Sequence, residues 1–466
     1  MKLVYSISDR PRFPQVLLLA LQQLLAILAA TIAVPMIVKH GMSTSAALFG
    51  AGVGTLVYQL FTRFKSPVFL GSSFAFLGSM AAAFAGGVSM SAGYLGLIIG
   101  AVFAGLVYVV IALIVKKCGT TWLNRVMPAV VIGPTVAIIG LSLAGNAVGD
   151  AIGGTHVMTW HSALQLLCAL VTLATVIICS VYGKKMLKLV PFVIGILAGY
   201  TLAAIFTGIG FIFDAETFKI IDFSKFADMQ WYPDFTFITA FSGDYVFGGE
   251  GAGFWTYLGT IFVAYVPVAF VVFAEHIADH KNLSTVIDKD LLEDPGLSNT
   301  LLGDGVGSMA GAFFGGCPNT TYGESVGCVA ITGNASVWTI TITALMAIVS
   351  SFIAPFITFL ATIPSCVMGG VCISLYGFIA VSGLKMIQGV DLGDNRNLFV
   401  VSVILIAGVG GMALTIGKVT LTAVACALIL GILTNLLVNK LPIGKKNDTT
   451  NTQDGDAAND TTENNG

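Results

Sequence analysis

The chain has 466 residues, of which 56% are hydrophobic and only 10% charged, against about 25% charged in soluble globular chains. A mean hydropathy of +0.91 excludes a soluble globular protein and points to a polytopic membrane protein with room for more than a dozen spans. The formal net charge of -2 gives no electrostatic pointer to nucleic acid or any other partner besides lipid. The eight cysteines lack metal-ligand spacing and six lie in apolar runs, so they read as packing residues, with no metal or cofactor expected.

The head, residues 1–14, is short and basic. The first apolar run continues straight into a full span, so no cleavable signal peptide is expected. Apolar segments follow at 15–38, 45–61, 67–84, 91–115, 128–148, 161–181, 188–212, 254–279, 300–316, 320–333, 336–358, 363–383, 397–415 and 419–439. That makes fourteen, several of them short for the roughly 20 residues of a spanning helix. With the head inside and every segment crossing, 18 of the 22 Lys and Arg fall in inside loops, and only Lys39, Lys219, Lys225 and Lys418 lie outside. This is the positive-inside bias, and it places both termini in the cytoplasm of a cell-membrane protein. Residues 213–253 carry seven acids (Asp214, Glu216, Asp222, Asp228, Asp234, Asp244 and Glu250) and read as a solvated extracellular connector. The polar tail, 440–466, reads as disordered.

The halves echo one another. Gly50-Ala51-Gly52-Val53-Gly54 resembles Gly303-Asp304-Gly305-Val306-Gly307, and each precedes a polar interruption, Gly71-Ser72-Ser73-Phe74 or Pro318-Asn319-Thr320-Thr321-Tyr322. Pro128 with Gly133 matches Pro364 with Gly369. Seven segments per half, 15–212 and 254–439, is an odd number, so the second half enters from the opposite face. The fold class is an all-α polytopic membrane protein of fourteen transmembrane segments in two inverted seven-segment repeats. Interrupted segments at corresponding positions of two halves point to a transporter binding site. The glycines are not a dinucleotide loop, because no βαβ unit surrounds them.

Glu324 is the only charged residue between Gly305 and Leu384. A carboxylate at a helix centre in the bilayer costs about 2.5 kcal/mol or more, so its default reading is functional. Pro318, Asn319 and the threonines before it make poor helix, and irregular backbone at membrane depth survives only where protein or a cavity surrounds it. The structural alternative is a solvated interfacial Glu324. The second candidate, Glu275, ends an uncharged run of 21 residues, Phe254 to Ala274. Asp279 shares its helix face four residues on, as a proton relay or an interface charge. His276 is expected to pack or hydrogen-bond locally, and His280 to face solvent. Two carboxylates on one cavity suit an uncharged ligand with N–H donors. Burial and mutual repulsion disfavour their ionised forms, which is a physical basis for taking up a proton.

Ala274-Glu275-His276-Ile277, Gly303-Asp304-Gly305 and Pro318-Asn319-Thr320-Thr321-Tyr322-Gly323-Glu324 resemble the nucleobase/ascorbate transporter family, also called nucleobase:cation symporter-2, and within it the bacterial uracil permeases. Gly71-Ser72-Ser73-Phe74-Ala75-Phe76 adds to a resemblance that covers residues 12–440. It implies a core domain (segments 1–4 and 8–11) facing a gate domain (5–7 and 12–14), with short antiparallel strands in segments 3 and 10. It also implies that Glu275 and Glu324 bind the base, that Phe74 and Tyr322 give stacking and backbone contacts, and that Gly323 offers its amide. Ala30 then lines the pocket and Tyr376 closes it. Glu275, Asp279 and Glu324 would carry the proton coupling, and the gate domain a homodimer contact. Asp279 stands where the best-known relative has His, and Gln22-Gln23 replaces the family's Gln-His pair. The implied activity is proton-coupled import of uracil. The alternatives are a purine permease of the same family, or an anion transporter of the same fold, which two acids would oppose. An enzyme is disfavoured because no HExxH or GxSxG pattern occurs.

Overall fold

A computed structural model describes residues 3–119, 128–154, 157–184, 186–227, 229–249, 253–416 and 419–440. Among these residues eight helices are long and apolar enough to cross a membrane, or nine if one bent pair is a single span. The chain is a multi-pass membrane protein. The expected tail lies outside the described residues apart from Lys440, as do Arg125, Lys185, Lys418, Asp228 and Glu250.

The first half runs α1 (Phe13–Val38), α2 (Thr44–Phe61), strand β1 (Leu70–Ser72), α3 (Leu77–Ala83), α4 (Met90–Cys118), α5 (Ala129–Ser142), α6 (Ala144–Ala151), α7 (Trp160–Tyr182) and α8 (Pro191–Ile212). After the outer helix α9 (Thr236–Ala240), the second half runs α10 (Phe254–Ile287), α11 (Leu297–Gly315), strand β2 (Asn319–Thr321) and α12 (Gly323–Thr332). It ends with α13 (Val337–Ser350), α14 (Ala354–Ala361), α15 (Ser365–Met386), α16 (Asn395–Val409), β3 (Leu414–Ile416), β4 (Val419–Leu421) and α17 (Ala423–Lys440). Each expected segment meets one of these elements. Pro128 and Pro364 are the N-cap residues of α5 and α15, where a missing N–H costs nothing. Segment 11 bends by 83° between α13 and α14.

Packing repeats with an offset of seven segments. α2 packs on α13 as α11 packs on α4, α1 on α13 as α10 on α4, and α5 on α16 as α15 on α7. The echoed glycine motifs lie face to face, because α2 and α11 also pack on each other. A Cβ on Gly54 would come within 2.8 Å of the Gly307 carbonyl oxygen, and one on Gly307 within 2.7 Å of that of Gly54. Only glycine permits this approach, the usual basis of close helix packing in lipid.

Three expectations are corrected. Residues 410–415 and 419–421 do not extend the neighbouring helical spans, because β3 and β4 pair antiparallel, Leu414 with Leu421. The outer connector is not merely solvated. Phe237 stacks on Phe313 with centroids 5.0 Å apart, and Phe235 meets Phe314 edge to face, so the loop is anchored by aromatic contacts. His280 does not face solvent: α10 continues to Ile287, well past the apolar run, and His280 is completely buried.

Candidate functional site

The two polar interruptions pair with each other. β1 and β2 are antiparallel, with Leu70 opposite Thr321, Gly71 opposite Thr320 and Ser72 opposite Asn319. The Ser73 N–H adds a bond to the Pro318 carbonyl at 2.9 Å. Each strand is too short to span alone, but pairing satisfies backbone groups that lipid cannot. The half-helices α3 and α12 then start beside the crossing point, and Glu324 sits in the first turn of α12.

Tyr322 is buried against β1, with its hydroxyl donating to the Ser72 carbonyl at 2.8 Å. Phe74 meets Tyr376 of α15 edge to face, centroids 5.8 Å apart. Phe74 also lines a cavity of about 300 Å³ walled by Ile139 and Ser142 of α5, Val268 of α10 and Thr422. Glu275 and Glu324 do not line it. Ala30 is buried on α1, and its neighbour Thr31 lies beside the Tyr322 hydroxyl. Gly323 is exposed, while Glu275 and Glu324 are half-buried, so water reaches the start of α12.

Glu275 lies within electrostatic range of Asp279, Glu324 and Asp304. Among the described residues no Lys or Arg pairs with any of the four. Asp279 accepts from the Thr321 hydroxyl at 2.8 Å, and a Cβ on Gly323 would lie 3.8 Å from its other oxygen. The site therefore gathers acceptors without a counter-cation, which suits a neutral ligand rich in N–H donors or a proton. Among the described residues no group of three or more His, Cys, Asp or Glu could hold a metal ion.

His276 does not bond locally but reaches across to α11: its Nδ1 is 2.6 Å from Asp304 Oδ2 and its Nε2 is 3.0 Å from Thr300 Oγ1. In the sequence Asp304 stands out only as part of Gly303-Asp304-Gly305. It is in fact fully buried, and its Oδ1 has no hydrogen-bond partner among the described residues. The signal was available in a carboxylate at the edge of an 80-residue uncharged stretch broken by Glu324 alone, Gly305 to Leu384. Gln23 stands where the family's Gln-His pair has His. Its side-chain amide donates to Ser325 Oγ at 2.6 Å, and Ser325 also accepts the Phe69 N–H at 3.2 Å.

Residues 14–417 match the model of a family described as the Permease family. A uracil permease of Bacillus caldolyticus is 41% identical over 449 residues, 96% of this chain and 97% of that protein. The uracil permease of Bacillus subtilis is 38% identical, with 90% and 91% covered, and that of Escherichia coli K12 34%, with 94% of each covered. Among solved structures, the transmembrane domain of the cyanobacterial bicarbonate transporter BicA superposes with a TM-score of 0.60 at 15% identity, covering 92% of this chain and 98% of that one. Murine solute carrier 26 family member A9, an anion transporter in the inward-facing state, gives 0.62 at 11% identity, with 92% and 69% covered. At such identities these two structures speak for the fold alone.

Proposed function

Because the chain belongs to the Permease family, the nucleobase:cation symporter-2 transporters, we propose that it imports uracil across the cell membrane by proton-coupled symport. The observation that carries the proposal is that Glu275 lies within electrostatic range of Glu324, with no Lys or Arg paired to either among the described residues, in a chain whose relatives along nearly its full length are uracil permeases. Uracil presents N–H donors beside carbonyl acceptors. Glu275 and Glu324 accept from the N–H groups, and the Gly323 amide and the strand ends donate to the carbonyls. Phe74 stacks on the ring, Tyr322 holds β1 in place beside it, Ala30 lines the pocket from α1, and Tyr376 closes it from α15.

The offset-of-seven packing supports reading the halves as inverted repeats, 15–212 and 254–439 joined by the extracellular 213–253 loop. Segments 1–4 and 8–11 form the core, and 5–7 and 12–14 the gate. The core moves against the gate and exposes the site to each side in turn. Three neighbouring acids cannot all ionise in a low-dielectric site without a partner, so Glu275, Asp279 and Glu324 share the coupled proton. Both termini lie in the cytoplasm, and gate domains of two copies form a dimer.

The test is uptake of labelled uracil by cells lacking their own uracil permease, with and without a protonophore and with excess xanthine, hypoxanthine or thymine. Uptake abolished by the protonophore and not competed by purines is the expected result. Uptake that follows sodium instead would sink the proton role of the carboxylates. Failure to take up uracil, with the protein present in the membrane, would move the substrate to another planar base.

A further inference from the structure

The acids of α10 are flanked by two histidines that the transport reading does not use. His276 and His280 are four residues apart, like Glu275 and Asp279, and lie about 100° round the helix from them. Their rings sit 4.1 Å apart, centroid to centroid. His276 reaches α11 through Asp304 and Thr300. His280 reaches α2: its Nε2 is 2.7 Å from the Tyr58 hydroxyl, and its Nδ1 is 2.8 Å from the His276 carbonyl oxygen. The Tyr58 hydroxyl is also 2.7 Å from Ser66 Oγ. Tyr58 and His280 have no exposed surface.

A carbonyl only accepts, so His280 Nδ1 carries the proton that bonds to it. The Tyr58 hydroxyl donates to Ser66 Oγ, and its oxygen lies 2.7 Å from His280 Nε2. Every polar atom of this buried pair is satisfied. Tyr58 in turn sits one turn beyond Gly54, on the part of α2 whose backbone is pressed against α11. The histidine face of α10 is thus keyed into the close-packed glycine seam between α2 and α11. Rotating α10 by one residue would bring His276 to the place of Glu275.

We infer that Tyr58 and His280 are positioning residues, which set the rotation of α10 and so aim Glu275 and Asp279 at the start of α12. This rests on the uracil-transport reading for its ligand, but not for its geometry. Neither residue touches the substrate. Their effect is on affinity, through the direction of carboxylates one helix face away.

The test compares the wild type with Tyr58→Phe, His280→Phe and the double variant. Tyr58→Phe is expected to raise the KM for uracil about tenfold, as loss of one buried hydrogen bond does, with the maximal rate per transporter little changed. The double variant should be no worse than the poorer single one, because both break the same link. A purely structural role would lower the amount of folded transporter at unchanged KM, and that result overturns the inference. A second readout needs no substrate. Gly323→Cys places a thiol beside Asp279, and its rate of reaction with a cationic methanethiosulfonate should shift several-fold when Tyr58→Phe is added. An unchanged thiol rate overturns the inference. If the wild type takes up no uracil, the transport reading fails by itself, and the thiol rate still decides the positioning role.

Discussion

The Thr321 hydroxyl donates to Asp279 Oδ2 at 2.8 Å, tying the acidic face of α10 to the last residue of β2. One bond therefore joins the helix that carries Glu275 to the strand that leads into Glu324. Thr321→Val keeps the shape and β-branching of the side chain and removes the donor. A hydrogen bond to a charged or potentially charged group contributes about 1.5–3 kcal/mol, so the KM for uracil should rise at least tenfold. An uptake assay giving the wild-type KM would show that the bond does not hold the site.

Glu275→Gln and Glu324→Gln preserve size and one acceptor oxygen but cannot take up a proton. Each should reduce concentrative uracil uptake by about a hundredfold or more, roughly the 2.7 kcal/mol or more expected for loss of a buried charged hydrogen bond and its coupling. Membrane abundance, measured by immunoblot, should not change. Normal accumulation by either variant would refute the assignment of these two carboxylates.

The glycine seam is a matter of stability rather than chemistry. Gly54→Ala puts a methyl 2.8 Å from the Gly307 carbonyl oxygen, and neither backbone can yield without separating α2 from α11. Overpacking of this kind costs about 1–3 kcal/mol. The purified variant should melt several degrees lower than the wild type, and an unchanged melting temperature would mean that the seam can open freely.

Asp294 lies in the loop before α11 and bonds to Lys289 at 2.8 Å and Lys65 at 2.7 Å. Its hydrogen bonds to Lys289 and then Lys65 hold its carboxyl below the ordinary range. A depressed folded-state value means that the pair stabilises the fold above the unfolded Asp value of about 3.9, and that this is lost as pH falls through the folded value. The difference in melting temperature between the wild type and Asp294→Asn should be constant above about pH 5 and shrink below pH 4. A difference that grows on acidification would contradict this sign.

Much of the fold was legible in the sequence. Each of the fourteen apolar runs meets an element, because exclusion from water leaves a mark on every residue of a span. The hairpin of β3 and β4 was also legible in principle. Leu414-Thr415-Ile416 and Val419-Thr420-Leu421 are two β-branched runs around a Gly-Lys pair, a turn signal hidden by their hydropathy. His280 was misread because hydropathy records burial in lipid and not burial in protein, and α10 outlasts its apolar run.

By itself the sequence determined that this chain lives in a membrane, where its interrupted segments fall, and that Glu275 and Glu324 stand in surroundings that must be explained. These are properties of composition and spacing, fixed by the cost of placing charge and unpaired backbone in lipid. The tertiary structure decided which of them meet. The pairing of Ser72 with Asn319, the Thr321–Asp279 bond, and the link from Tyr58 to His280 across 222 positions all depend on how two halves of the chain pack. No local pattern encodes such contacts, because their energy comes from partners that the chain brings together only when it folds.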